Sequence, residues 1–131
     1  GAFLAGLGGA DTLDGGGNND TASYAASNAA VTINLTAGTA SGGDAEGDVL
    51  LNIENITGSA YDDMLIGTAT ANALIGGAGS DTQDGGAGHD TLTGGAGNDL
   101  FVLNRPFSLT ITLMAVPVPT PCWVSTVTMT M

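Results

Sequence analysis

Glycines recur nine residues apart at Gly58, Gly67, Gly76, Gly85 and Gly94, and this period limits the possible folds more than any other feature of the chain. Aligned on those glycines, the blocks read GSAYDDMLI, GTATANALI, GGAGSDTQD, GGAGHDTLT and GGAGNDLFV. Their sixth place holds Asp63, Asn72, Asp81, Asp90 and Asp99, and their eighth holds Leu65, Leu74, Gln83, Leu92 and Phe101. Two earlier blocks, GLGGADTLD from Gly6 and GGGNNDTAS from Gly15, put Asp11 and Asp20 at the same sixth place. A unit of nine residues cannot bury an apolar face alone, so a repeat of this length implies that successive units stack.

The residue types dictate what one unit does. Glycines at places one, two and four permit backbone angles that a β-carbon forbids, so the first six residues turn tightly. The next three alternate outward, inward, outward, as a short strand must, with the eighth residue inward. Strands of three residues are stable only in a stack, with neighbours about 4.8 Å apart. The expectation is two parallel sheets enclosing a thin apolar seam.

If each block is half of a turn of such a stack, block n lies over block n+2. Asp63, Asp81 and Asp99 then line one edge, and Asn72 and Asp90 the other. Bare carboxylates one strand apart repel by something on the order of 3 kcal/mol per pair at an effective dielectric near 20. A divalent cation between turns reverses the sign, and the uncovered glycine carbonyls add the neutral oxygens a hard cation takes. Calcium suits a flexible cage of 6–8 oxygens, whereas magnesium keeps its waters. With one His and no Cys before residue 122, transition metals are excluded as a class. So little apolar surface in so much glycine predicts folding coupled to the metal.

Composition agrees. The chain has 131 residues, room for about one domain. Its 22 glycines accompany 13 acidic side chains, one Arg and no Lys, for a formal charge of -12. One cation cannot neutralise a phosphate backbone, which argues against nucleic acid as a partner. The Gly-Lys-Ser/Thr phosphate loop is impossible without lysine. No cationic segment precedes the apolar stretch Ala2 to Leu7, so no signal peptide is visible. The chain opens on Gly1 rather than Met, which suggests a piece of something longer, fused to further domains.

The blocks GGAGSDTQD, GGAGHDTLT and GGAGNDLFV resemble the nonapeptide repeats of the RTX family, the hemolysin-type calcium-binding repeats of secreted bacterial proteins. The resemblance implies an all-β fold, a parallel β-roll (a β-solenoid), with Ca2+ held between adjacent turns. It implies type I export and folding on reaching extracellular calcium, beside a larger effector. Carried over residue by residue, the carboxylate ligands are Asp81, Asp90 and Asp99. Carbonyl ligands come from the turns 76–80, 85–89 and 94–98, that is from Gly76, Gly77, Ala78 and Gly79, from Gly85, Gly86, Ala87 and Gly88, and from Gly94, Gly95, Ala96 and Gly97. By the same match Asp11, Asp20 and Asp63 are ligands.

The organisation expected is two repeats in 1–23, a non-repeat β segment in 24–57, a repeat block in 58–105, and an apolar Thr/Pro tail in 106–131. Within the block, 76–102 keeps the pattern and 58–75 departs from it. Tyr61 and Thr70 stand at place four, where such side chains tolerate positive φ poorly, and Asn72 replaces an acid. Blocks 58–75 are therefore expected to keep strand geometry and bind calcium weakly or not at all. Gln83 brings an amide to an inward place, so its block packs less well unless the side chain reaches the edge of the seam. Asn18, at place four, adopts the left-handed conformation more readily.

In the middle segment, Val31 to Leu35 alternates as a half-buried strand, and Leu50 to Ile56 is apolar enough to continue the stack. Gly42 to Asp48 reads as a flexible, solvated acidic turn, with an extra cation site as the alternative. His89 and the place-nine residues Asp14 and Asp84 face solvent. Asp62 and Asp63 point to opposite faces, so they are no catalytic dyad. No Gly-x-Ser-x-Gly elbow appears, and no catalysis is expected in this chain. Leu100 to Leu103 caps the last repeat. In the tail, Leu109, Ile111 and Leu113 alternate with Thr110 and Thr112, either as a native terminal strand or as a junction without selected structure. The functional expectation is a calcium-binding folding module. The alternatives are the calcium module of a secreted hydrolase or toxin whose catalytic part lies elsewhere, and an adhesive solenoid.

Overall fold

The computed structural model describes residues 1–103 and the strands at 110–112 and 126–129. Strands from alternate blocks fall into two sheets. One has the order β1 (Phe3–Leu4), β3 (Thr21–Ser23), β7 (Asn55–Thr57), β9 (Ala73–Ala78), β11 (Thr91–Ala96), β13 (Thr110–Thr112). The other has the order β14 (Thr126–Met129), β12 (Leu100–Leu103), β10 (Thr82–Asp84), β8 (Met64–Ile66), β4 (Thr32–Asn34), β5 (Thr39–Ser41), β6 (Val49–Leu51), β2 (Thr12–Asp14). No α-helix occurs among the described residues, only a 3-10 turn at Gly43–Ala45.

In the repeat block the register is 18 residues, which is block n against block n+2. Gln83 pairs with Leu65 on one side and Phe101 on the other, and Leu92 with Leu74. The eighth-place residues therefore stand in two facing rows. All seven are buried, from Leu13 and Ala22 to Leu92 and Phe101. The middle segment feeds the same core through Tyr24, Val31, Ile33, Leu35, Leu50, Ile53 and Ile56. The strands read in Val31–Leu35 and Leu50–Ile56 are β4, β6 and β7.

Four details differ from the sequence reading. The second sheet is not wholly parallel: β5 runs antiparallel to both β4 and β6. Residues 24–57 thus add a hairpin to that sheet, while β3 meets β7 directly in the other. β9 and β11 extend over six residues rather than three, because Gly77 pairs with Gly95 and Ala78 with Ala96 across adjacent turns. The acidic loop 42–48 is solvated only in part: Gly43, Glu46 and Gly47 are exposed, but Ala45 and Asp48 are buried, and the backbone winds into the 3-10 turn. Finally, Tyr61 and Thr70 are not at positive φ. Among the described non-glycine residues only Leu7, Asn18 and Asn52 are, Asn18 as expected. The turns of blocks 58–75 relax instead of accepting strain.

At Gly97 the backbone requires glycine. Gly97 has φ 115° and packs against the backbone of Gly79 one layer away, so a β-carbon there meets both strain and collision.

The two-sheet register yields a direct check. Leu92→Ala should cost about 2–5 kcal/mol in denaturant unfolding, because it empties a closed site in the seam. Ile75→Ala, on the outward face, should stay within about 0.5 kcal/mol.

Candidate metal centre

Each sixth-place side chain is set at the mouth of a strand, at the end of a six-residue turn. Asp20, Asp63, Asn72, Asp81, Asp90 and Asp99 are all buried, and Asp11 is half-buried. One carboxylate oxygen in each layer has a defined partner. The Asp63 N–H donates to Asp81 Oδ1 at 2.8 Å, and the Asp81 N–H to Asp99 Oδ1 at 3.0 Å. On the other edge the Asn72 N–H donates to Asp90 Oδ1 at 3.0 Å. The expected grouping of Asp63, Asp81 and Asp99 against Asn72 and Asp90 is therefore realised, as a ladder of charge-assisted hydrogen bonds.

The second oxygen is where the layers differ. Oδ2 of Asp81, Asp99, Asp20 and Asp11 is buried and accepts no hydrogen bond. A buried carboxylate oxygen without a donor is costly, more than the roughly 1–3 kcal/mol of a neutral group. Asp63 is different. Its Oδ2 accepts the Ser59 N–H at 2.6 Å, and its Oδ1 accepts the Ser59 hydroxyl at 2.6 Å and the Val31 N–H at 2.8 Å. At Asn72 the Thr68 N–H and hydroxyl serve Oδ1 at 2.7 and 3.2 Å, and Nδ2 donates to Glu54 O at 2.6 Å. Ser59 and Thr68 stand at place two, where the regular blocks have Gly77, Gly86 and Gly95. A hydroxyl at place two closes the turn from within, while with Gly16, Gly77 and Gly95 there Asp20, Asp81 and Asp99 keep an open oxygen.

First-place glycines make room for the open oxygen. A β-carbon on Gly58 would lie 2.5 Å from Asp63 Oδ2 and 2.7 Å from Gly76 O; one on Gly76 would collide with Asp81 Oδ2 and lie 2.8 Å from Gly94 O. A carboxylate oxygen and a carbonyl of the next layer thus converge over Gly58 and Gly76. Among the described residues no three of His, Cys, Asp and Glu cluster together, so a cation here draws most of its donors from carbonyls. Orphaned carboxylate oxygens, neighbouring carbonyls and no His or Cys donor among them fit a hard cation such as Ca2+.

Electrostatics point the same way. Burial pushes the Asp81 carboxyl up to about 7, against the hydrogen bond from the Asp63 N–H and with further upward pressure from the charges of Asp63, Asp99 and Asp62. Asp90 and Asp99 are raised by burial as well. His89 is exposed.

The middle segment supplies two acids that the nine-residue alignment misses. Asp48 Oδ1 accepts the Asp11 N–H at 2.7 Å and Oδ2 the Tyr24 hydroxyl at 2.9 Å. Burial and Asp48 together push the Tyr24 hydroxyl up. Glu54 Oε2 accepts the Asp20 N–H at 2.9 Å. Both occupy the ladder position, one residue before β6 and β7. The signal was an acid two residues before an inward apolar side chain, Asp48 before Leu50 and Glu54 before Ile56, as Asp63 stands before Leu65. Asp14 is exposed, and its Oδ1 accepts from Asn52 Nδ2 and Gly16 N. Cys122 and Trp123 lie outside the described residues.

Stacked glycine turns that leave a buried carboxylate oxygen open at Asp11, Asp20, Asp81 and Asp99 define a class: repeat proteins that bind a hard cation between backbone layers. The particular family follows from sequence comparison. The profile of the RTX calcium-binding nonapeptide repeat, in its four-copy form, matches residues 3–26, 52–83 and 84–104. The chain belongs to that family, whose nonapeptide repeats bind Ca2+. Comparison with curated proteins finds no match. No helix among the described residues is long and apolar enough to cross a membrane.

The raised Asp81 carboxyl gives a pH prediction of definite sign. Its folded value lies above its unfolded one, so the metal-free fold binds the extra proton. That contribution to stability is present at low pH and disappears as pH rises from about 4 through about 7. Calcium must displace the proton, so its affinity runs the other way. Circular dichroism in excess chelator should show more β structure at pH 5 than at pH 8, and calcium titrations should show tighter binding at pH 8.

Proposed function

We propose that this chain is a calcium-dependent folding module of a secreted bacterial protein, a parallel β-roll that orders when Ca2+ enters between its turns. The observation that carries this reading is the set of buried Oδ2 atoms without donors at Asp81, Asp99, Asp20 and Asp11. In the proposed sites Asp81, Asp90 and Asp99 supply carboxylate oxygens, and the turns 76–80, 85–89 and 94–98 supply carbonyls. Asp11 and Asp20 act in the same way near the start of the chain. Asp63 is the weakest member, because its oxygens must first give up Ser59. When bound, calcium supplies positive charge and a flexible oxygen shell; the chain's part is to present the donors and exclude water. Export to a calcium-rich exterior and fusion to further domains belong to the same proposal, and the role is binding rather than catalysis.

Calcium titration of the chain in far-UV circular dichroism tests this, with magnesium as control. Expected is little order in chelator and a cooperative β signal at about 0.1–1 mM calcium, the range of extracellular modules. Asp81→Ala and Asp99→Ala should shift the midpoint to several-fold higher calcium, Asp63→Ala less, and His89→Ala not at all. A full β spectrum in excess chelator at pH 8, or an equal response to magnesium, would overturn the proposal.

A further inference from the structure

Among the eighth-place residues of the seven repeat blocks, Gln83 is the polar exception. It is fully buried in the seam, paired in register with Leu65 and Phe101. Its Nε2 donates to Thr93 O at 2.8 Å, across the seam within β11 and one residue before Gly94. The amide is thus half satisfied inside the seam. Its Oε1, however, is buried and accepts nothing.

Asp81 Oδ2, Asp99 Oδ2 and Gln83 Oε1 are all unpartnered: the two acids end the stacked turns 76–81 and 94–99, and Gln83 lies in β10, two residues after the first of them. Asp81 and Gln83 are two apart, so their side chains leave the same face of the chain. Gly94 O, next in sequence to the carbonyl that holds Gln83 Nε2, converges with Asp81 Oδ2 over Gly76. A glutamine retained only for its cross-seam hydrogen bond would leave its oxygen at a cost of roughly 1–3 kcal/mol, in a place that leucine fills in other blocks. A chain with one Arg and no Lys has almost no cationic side chain to offer that oxygen.

We infer that Gln83 donates its amide oxygen, from inside the apolar seam, to the cation held between turns 76–81 and 94–99. This rests on the calcium reading of those turns and adds a neutral ligand that the nine-residue pattern lacks; side-chain amide oxygens are ordinary calcium donors. The residue exchanges metal-free stability for affinity at one site.

Isothermal calorimetry of calcium binding to the full chain, paired with far-UV circular dichroism in EDTA, tests it on Gln83→Leu, Gln83→Met and Gln83→Glu. Expected for Gln83→Leu is more residual β signal in EDTA together with a loss of about tenfold or more in affinity at one class of site, as loss of a partner around a metal costs. Gln83→Met, which keeps the length and loses the oxygen, should show the same loss of affinity. Gln83→Glu should retain the tight site. Wild-type affinity and stoichiometry in both Gln83→Leu and Gln83→Met would overturn the inference and leave the calcium reading standing. Absence of calcium uptake by the wild-type chain would overturn that reading itself, and this inference with it.

Discussion

The structure depends on one hydrogen bond repeated up the stack: a sixth-place backbone N–H donating to the carboxylate 18 residues later. It fixes the register of successive layers, and it turns each acid into the buried end of a turn. It also engages only one of the two oxygens. At Asp81 and Asp99 the other is left without a donor, beside a glycine whose missing β-carbon gives it room. Stacking and cation binding thus have a common origin, since the contact that aligns the layers creates the unmet charge.

Two solutions to that charge occur in the same chain. Blocks 58–75 place Ser59 and Thr68 where glycine would be, and their hydroxyls and N–H groups satisfy Asp63 and Asn72 from within the turn. Blocks 76–102 have glycine there, and Asp81 and Asp99 keep an open oxygen. One methylene and one hydroxyl per turn separate a self-sealed layer from one suited to a cation. The Asp63 layer sits where β8 pairs with β4 of the 32–41 hairpin, and the Asn72 layer where β9 lies between β7 and β11 in the other sheet.

Much of this was legible in the residues. Period, glycine and acid predicted the two sheets, the 18-residue register, the inward rows and the sixth-place residues along the two edges, because nine-residue units leave few other ways to bury a leucine per block. The departures arose where the period stops. The antiparallel β5 follows from the turn around Gly38, which the alternation of Val31 to Leu35 does not announce. Asp48 and Glu54 occupy ladder positions at irregular spacings, so alignment on glycine passed over them. The 3-10 turn at Gly43–Ala45 was hidden because an acidic, glycine-rich string looks solvated until Tyr24 and Asp11 are seen to bind Asp48. Strain at Tyr61 and Thr70 was averted by a turn that needs no positive φ once place two is no longer glycine.

A crystal structure of the chain grown in calcium, with an anomalous difference map, tests the central claim most directly. The account predicts a peak between turns 76–81 and 94–99, with Asp81 Oδ2 and Asp99 Oδ2 among its ligands at about 2.3–2.6 Å. A well-ordered stack in which those two oxygens bind only water or protein donors, with no such peak at saturating calcium, would contradict it.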